Sequence, residues 1–327
     1  IDSYIYGKAE NIGYQFIELN DNLIGTDLND YIRGSNDTLD RFGDGSDTLD
    51  GGLGDDVLDG GENGRSTGSY YVDIYKFDRN YGHDRVFGFF AEDIERAYLD
   101  NSLFYITYEA GIKSDKIEIP RDVVDSASAL ISNSIDNKDG WAKLSFEGTE
   151  ITLHMISLSQ LKPDYFYIVP RTSSTITGTD DNDNLIGTES NDRILGSTDP
   201  LGRSEDGSDI LNGGLGDDIL IGGPASGLRG YYEDRYRFSS NFGHDYLISF
   251  FAEDLFESGG TRIQDPEGDN AIQSDRLEFE NTFAATASQL ITNAEDNDDG
   301  WAVITLGNNS LTIFGVSSNE LKPDYFH

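Results

Sequence analysis

Along most of the chain an apolar side chain follows an aspartate at a distance of two residues, and glycine, asparagine and further aspartate surround the pair. The first half reads Asp21/Leu23, Asp30/Ile32, Asp37/Leu39, Asp47/Leu49, Asp56/Leu58, Asp73/Tyr75 and Asp84/Val86. The second reads Asp183/Leu185, Asp192/Ile194, Asp199/Leu201, Asp209/Leu211, Asp218/Leu220, Asp234/Tyr236 and Asp245/Leu247, so that every pair has its counterpart. Alternate residues of a strand point to opposite faces, so each segment predicts a short strand whose apolar residue turns inward. Glycines before the aspartate permit a tight turn that aims several backbone carbonyls at one point, and the short aspartate side chain places its carboxylate at the same point.

The whole pattern is duplicated with a shift of about 161 residues: Gly51-Gly52-Leu53-Gly54-Asp55-Asp56 returns at Gly213, and Gly82-His83-Asp84 returns at Gly243. Asp139-Gly140-Trp141-Ala142 and Leu161-Lys162-Pro163-Asp164-Tyr165-Phe166 return in the same phase. This predicts a leading strand segment over 1–18, one unit over 19–167, a short Pro/Ser/Thr linker over 168–173 and a second unit over 174–327.

Beyond the repeats, 87–93 and 248–254 read as a buried strand and a turn, and 123–131 and 284–291 as short amphipathic helices, the second with Thr282 as a candidate cap. A hairpin is expected across 141–154 and from Trp301 onward, preceded by polar loops at 136–140 and 296–300. Segments 94–113 and 255–272 differ between the copies and read as drifting surface loops, or as the place where the copies bind different partners.

Residues 51–59 and 213–221 fit G-G-x-G-x-D-x-U-x, where U is apolar. Here the chain resembles the RTX (repeats-in-toxin) family, strongly over 20–61 and 178–223 and more loosely through the strand-rich remainder. The resemblance implies an all-β fold of two tandem parallel β-roll units, each capped by a β-rich segment with one short helix. It also implies several Ca²⁺ ions per unit. The candidate ligating positions are Asp21, Asp30, Asp37, Asp47, Asp56, Asp73 and Asp84 with Gly34, Gly43, Gly45, Gly52 and Gly54 in the first unit. In the second they are Asp183, Asp192, Asp199, Asp209, Asp218, Asp234 and Asp245 with Gly196, Gly207, Gly214 and Gly216. Two nonapeptides make one coil, so aspartates two repeats apart, such as Asp37 with Asp56 or Asp199 with Asp218, are expected to share an ion. The spacing shrinks before Asp37 and Asp199, lengthens before Asp47 and Asp209, and admits extra loops at 62–71 and 224–232, so those turns are irregular.

Charge strengthens the case for a hard cation: 61 acidic against 23 basic residues give a net charge of -38, which repels nucleic acid and anionic lipid and opposes compaction without neutralising ions. Eighteen tyrosines and eighteen phenylalanines argue for a packed core rather than disorder. Absence of cysteine leaves oxygen and histidine as the available ligands, and no apolar run is long enough to span a membrane. The four histidines form no H-E-x-x-H array and no G-x-S-x-G elbow is present, so no enzyme is expected.

Three functions stay open. The first is a non-catalytic calcium-binding module of a secreted bacterial protein, exported unfolded and folding on extracellular Ca²⁺, as the resemblance implies. The second is an adhesin module with an extracellular polysaccharide or cell-surface ligand as partner. The third is an appendage of a secreted protease, lipase or epimerase, which makes the chain part of a larger one. All three place it outside the cell.

Overall fold

Strands only two to six residues long, many of them burying alternate residues, cannot close a core alone; they stack instead into coils. The computed structural model describes residues 3–6, 9–12, 15–18, 20–34, 45–61, 72–91, 114–198, 207–223, 226–227, 230–231, 233–250, 274–280, 283 and 285–327. The loops at 94–113 and 255–272 lie outside the described residues. The chain divides into two units, with the boundary between Val169 and Pro170.

In the first unit two sheets face each other. One holds, in spatial order, Ser3–Tyr6, Asp30–Arg33, Val57–Asp59, Gly82–Phe87 and Thr149–Leu153, all parallel, followed by antiparallel Ala142–Phe146 and Ile135–Asp136. The other is parallel throughout: Asn22–Thr26, Thr48–Gly52, Ile74–Lys76, Lys116–Pro120 and Phe166–Val169. The chain passes from one sheet to the other at each glycine-aspartate turn, which makes the unit a parallel β-roll. Leu23, Leu49, Tyr75 and Ile117 meet Ile32, Leu58, Val86 and Ile151 in one buried cluster. The apolar residue two places after each described aspartate of this unit therefore points inward, as the alternation requires.

The second unit repeats the plan. Ser174–Thr177, Asp192–Leu195, Ile219–Ile221, His244–Ile248 and Asn309–Ile313 run parallel, and Ala302–Leu306 and Glu295–Asp296 complete that sheet antiparallel. Facing it are Asn184–Ile186, Ile210–Asn212, Arg235–Phe238 and Arg276–Phe279. Ile194, Leu211, Leu220, Tyr236 and Leu247 fill its core.

Three features differ from the sequence reading. Coil length follows the expected pair of nonapeptides in one place, where Ser174 pairs with Asp192, 18 residues on. Elsewhere the aspartates of successive coils stand 25 to 28 residues apart, or 41 and 42 at the last step. The helices begin later than expected, at Ala127–Ser132 and Ala287–Thr292, because the side chains that receive the third N–H are those of Ser126 and Thr286. The strand expected over 87–93 ends at Phe87, where Gly88 (φ 74°) turns the chain; its counterpart ends at Ile248 before Ser249 (φ 63°).

Candidate metal centre

Each turn places an aspartate where it serves two coils at once. Oδ1 accepts the backbone N–H of the aspartate one coil earlier, so the carboxylates form ladders along both edges of the roll. On one edge of the first unit Asp30 N–H donates to Asp56 (2.7 Å) and Asp56 N–H to Asp84 (2.9 Å). On the other, Asp21 donates to Asp47 (2.8 Å), Asp47 to Asp73 (2.9 Å) and Asp73 to Asp115 (3.0 Å). The second unit has the same two ladders. Asp192, Asp218 and Asp245 make one, and Asp183, Asp209, Asp234 and Asp275 make the other, with bonds of 2.8 to 3.0 Å.

Asp115 and Asp275, which end two ladders, are not among the candidate ligands read from the sequence. A signal for them exists: each keeps the apolar residue two places on, Ile117 and Leu277, and each resumes the repeat phase after the divergent insert. Asp115 also receives the Phe90 N–H on Oδ2 at 2.8 Å, so it closes its turn with protein donors.

The second carboxylate oxygen separates the turns into two kinds. Oδ2 of Asp56, Asp84, Asp209, Asp218 and Asp245 is buried and accepts no hydrogen bond. These carboxylates are between 0% and 2% exposed, and an ionised oxygen so placed is costly unless a cation or donor meets it. Burial accordingly pushes them up, to about 6 for Asp56, about 7 for Asp209 and Asp218, about 8 for Asp84 and about 9 for Asp245. Asp30 and Asp192 behave oppositely. Burial raises them too, but hydrogen bonds from Ser3, Thr26, Ser174 and Thr188 together outweigh it and leave both below the ordinary carboxylate value.

Glycine is required where coils stack. Gly52 and Gly214 have φ of 83° and 97°, and a Cβ there would stand 2.4 and 2.2 Å from the carbonyl oxygens of Thr26 and Thr188 in the coil before. Gly34, Gly45, Gly54, Gly196, Gly207 and Gly216 occupy equivalent crowded or left-handed turn positions. Asp37, Gly43 and Asp199 lie outside the described residues, and with them the expected sharing of an ion by Asp37 with Asp56 and by Asp199 with Asp218. What the structure brings together is one aspartate per turn, its ladder neighbours, and carbonyls stacked against the glycines.

Among the described residues no group of three or more acidic, histidine or cysteine side chains converges. A cation here would therefore draw on backbone carbonyls as well as a carboxylate. That suits Ca²⁺, which takes 6–8 oxygen ligands of mixed kind in flexible geometry, better than it suits Zn²⁺. The polar loops at 136–140 and 296–300 are closed by their own residues: Asn137 Oδ1 accepts the N–H groups of Asp139 and Trp141, and Asn297 those of Asp299 and Trp301. Asp136 and Asp296 receive Leu158 and Ser318. His83 and His244 are exposed at the turn rims, the first 3.3 Å from Asp55 and the second 2.8 Å from Ser310.

Parallel coils joined by glycine-aspartate turns define a β-roll. The family described as RTX calcium-binding nonapeptide repeat (4 copies) matches residues 43–63, 175–199 and 204–225. No curated protein matches the chain. Among solved structures, the crystal structure of the extracellular lipase LipA from Serratia marcescens is similar over 93% of this chain and 39% of its own, at 19% identity and a TM-score of 0.25. The chain thus spans about two-fifths of the length of that lipase. Among the described residues no helix is long and apolar enough to cross a membrane.

Proposed function

We propose that the chain is a non-catalytic calcium-dependent folding module of a secreted bacterial protein, ordered where calcium is abundant and loosened where it is scarce. The observation that carries this reading is the set of buried, donorless oxygens on Asp56, Asp84, Asp209, Asp218 and Asp245, one per turn, with those of Asp56, Asp209 and Asp218 packed against Gly51, Gly196 and Gly213. Those five carboxylates would hold the ions together with the carbonyls of their turns, and Asp47 and Asp73 occupy equivalent turn positions. Bound calcium supplies positive charge to a chain of net charge -38 and ties neighbouring coils to one another.

An assembly of mixed carbonyl and single-carboxylate ligands suits the affinity range of extracellular modules, about 10⁻⁴–10⁻³ M, which is why the reading places the protein outside the cell. The histidines support a non-catalytic role: His154 stacks on Phe87 and lies against Trp141, while His83 and His244 sit at turns of separate units. The test is circular dichroism and tryptophan fluorescence through a calcium titration with magnesium as control. Ordered β signal should appear with calcium and not with magnesium; a chain fully folded in excess chelator overturns the reading.

A further inference from the structure

In three described turns a threonine closes the second carboxylate oxygen of the aspartate four residues on. In the turn 25–30, Asp30 Oδ2 accepts both the backbone N–H of Thr26 (2.6 Å) and its hydroxyl (2.8 Å). Thr188 does the same for Asp192, and Thr179 for Asp183, with the same two distances. On the other oxygen, Asp30 receives the Ser3 hydroxyl at 2.6 Å and Asp192 that of Ser174.

One coil later the threonine position belongs to Gly52 or Gly214. Their N–H groups turn to the side chains of Asp50 (3.2 Å) and Asn212 (3.0 Å), no hydroxyl is present, and Oδ2 of Asp56 and of Asp218 accepts nothing. The two turn types cannot be exchanged, because any Cβ at Gly52 or Gly214 would collide with the Thr26 or Thr188 carbonyl beneath it. Among the described turns, threonine at this position occurs in the outermost coil alone. That coil also offers a neutral acceptor to the next: Asn29 Oδ1 receives the Asp55 N–H (3.0 Å) and Asn191 Oδ1 that of Asp217 (2.9 Å).

We propose that threonine takes the place of the cation in the outermost turns of each unit: the turns of Thr26, Thr179 and Thr188 hold no calcium, and calcium is confined to the coils stacked on them. Two donors from one residue satisfy the same oxygen that a cation would otherwise meet, with no ion needed. Each roll then has a metal-independent edge at its N-terminal side, and calcium-dependent coils build on it in one direction. The inference rests on the calcium reading above.

The experiment counts bound calcium by equilibrium dialysis on the full chain at saturating ion, for wild type, Asp192→Asn and Asp218→Asn. Asp218→Asn should lose at least one ion and Asp192→Asn none. Thr188→Val should keep the wild-type count yet raise the calcium concentration at half-folding by roughly two- to tenfold, and Thr188→Ser should restore it. An ion lost in Asp192→Asn overturns the inference.

Should Asp192→Asn fail to fold, hydrogen exchange on the wild type during a calcium titration decides instead. The amides of Thr26, Thr179 and Thr188 should become protected at lower calcium than those of Gly52 and Gly214, and protection in the reverse order overturns the inference. A wild type that binds no calcium sinks the module reading itself, whereas one that binds calcium but loses an ion in Asp192→Asn sinks only the role of threonine.

Discussion

In the cap of the first unit the Ser126 hydroxyl receives the Ala129 N–H at 3.1 Å, Asn137 receives two N–H groups of its own loop, and Asp136 receives Leu158. In the roll of the same unit Asp56 and Asp84 are buried, yet each keeps one oxygen without a donor. The two regions share one apolar cluster, in which Leu130 and Ile151 of the cap join Leu49 and Leu58 of the roll. They differ in where their polar groups find partners. The cap finds them in the chain, and the roll leaves a fixed number to be found in the solvent. A single core can therefore hold a self-sufficient half and a half whose stability is set by ion concentration.

Calcium removal tests this most severely. Each site filled at about a hundred times its dissociation constant adds about 2.7 kcal/mol, so several sites together outweigh the net stability of an ordinary domain. Because the cluster is shared, the cap should lose order together with the roll. Trp141, packed on His154, and Trp301, packed on Phe314, report on the two caps. Their fluorescence should change at the same chelator concentration as the β signal in circular dichroism; an unchanged tryptophan signal after the roll has melted would show that the cap stands alone.

Glycine substitution comes next. Gly214→Ala puts a methyl group at a φ of 97° and 2.2 Å from the Thr188 oxygen. With calcium present it should cost roughly 2–4 kcal/mol in denaturant unfolding. Gly300→Ala in the cap meets a similar φ of 87° but nothing within 4 Å. It should cost only the left-handed penalty, about 1–2 kcal/mol. Equal losses would mean that coil stacking adds nothing to the glycine requirement.

Much of this contrast was legible from residue order. The placement of Leu49, Leu58, Tyr75 and Val86 in the core follows from their distance to the preceding aspartate, and the cap hairpin follows from alternation around Gly148. The ladder partners did not follow. Spacing along the chain reports on the turn a residue occupies, whereas the neighbour across coils depends on how many residues separate successive coils, and that number is 25 to 28 rather than 18 for most of the ladder. Thr26 and Thr188 were likewise hidden: a Gly-Thr pair reads as any polar turn until the carboxylate four residues on is seen to bond it. Helix starts were displaced because several polar residues precede each helix and only geometry selects Ser126 and Thr286 among them.

Acid should act on the roll in the direction opposite to its usual effect on carboxylates. Asp56, Asp209, Asp218, Asp84 and Asp245 are raised to between about 6 and about 9, so without cation the folded state holds protons that the unfolded chain releases near 3.8. The stability they contribute is full below about 4 and is lost as pH climbs through 6 to 9. Asp30 and Asp192, shifted down, oppose this only at the acid end, where their own contribution disappears. In excess chelator the folded fraction should be larger at pH 5 than at pH 8, and calcium uptake near pH 7 should release protons into a weak buffer. A folded fraction that grows with pH across this window would show that the raised carboxylates do not control the roll.

The smallest effect belongs to the helix caps. Ser126 is buried and gives its helix a 3.1 Å bond, and Ala129 at the third helical position cannot complete a capping box, so Ser126→Ala should cost about 1 kcal/mol, a fall of about 2–4 °C in Tm for a unit of this size. Thr286 is backed by Gln289, which accepts the Thr286 backbone N–H at 2.9 Å and keeps doing so after the hydroxyl is gone. Thr286→Ala should therefore cost less than Ser126→Ala. Neither change touches a carboxylate of the ladders, so the number of bound calcium ions should stay at the wild-type value in both. Loss of an ion in Ser126→Ala would mean that the cap helps to shape the turns, and the division between a self-sufficient half and an ion-dependent half would then have to be drawn elsewhere in the unit.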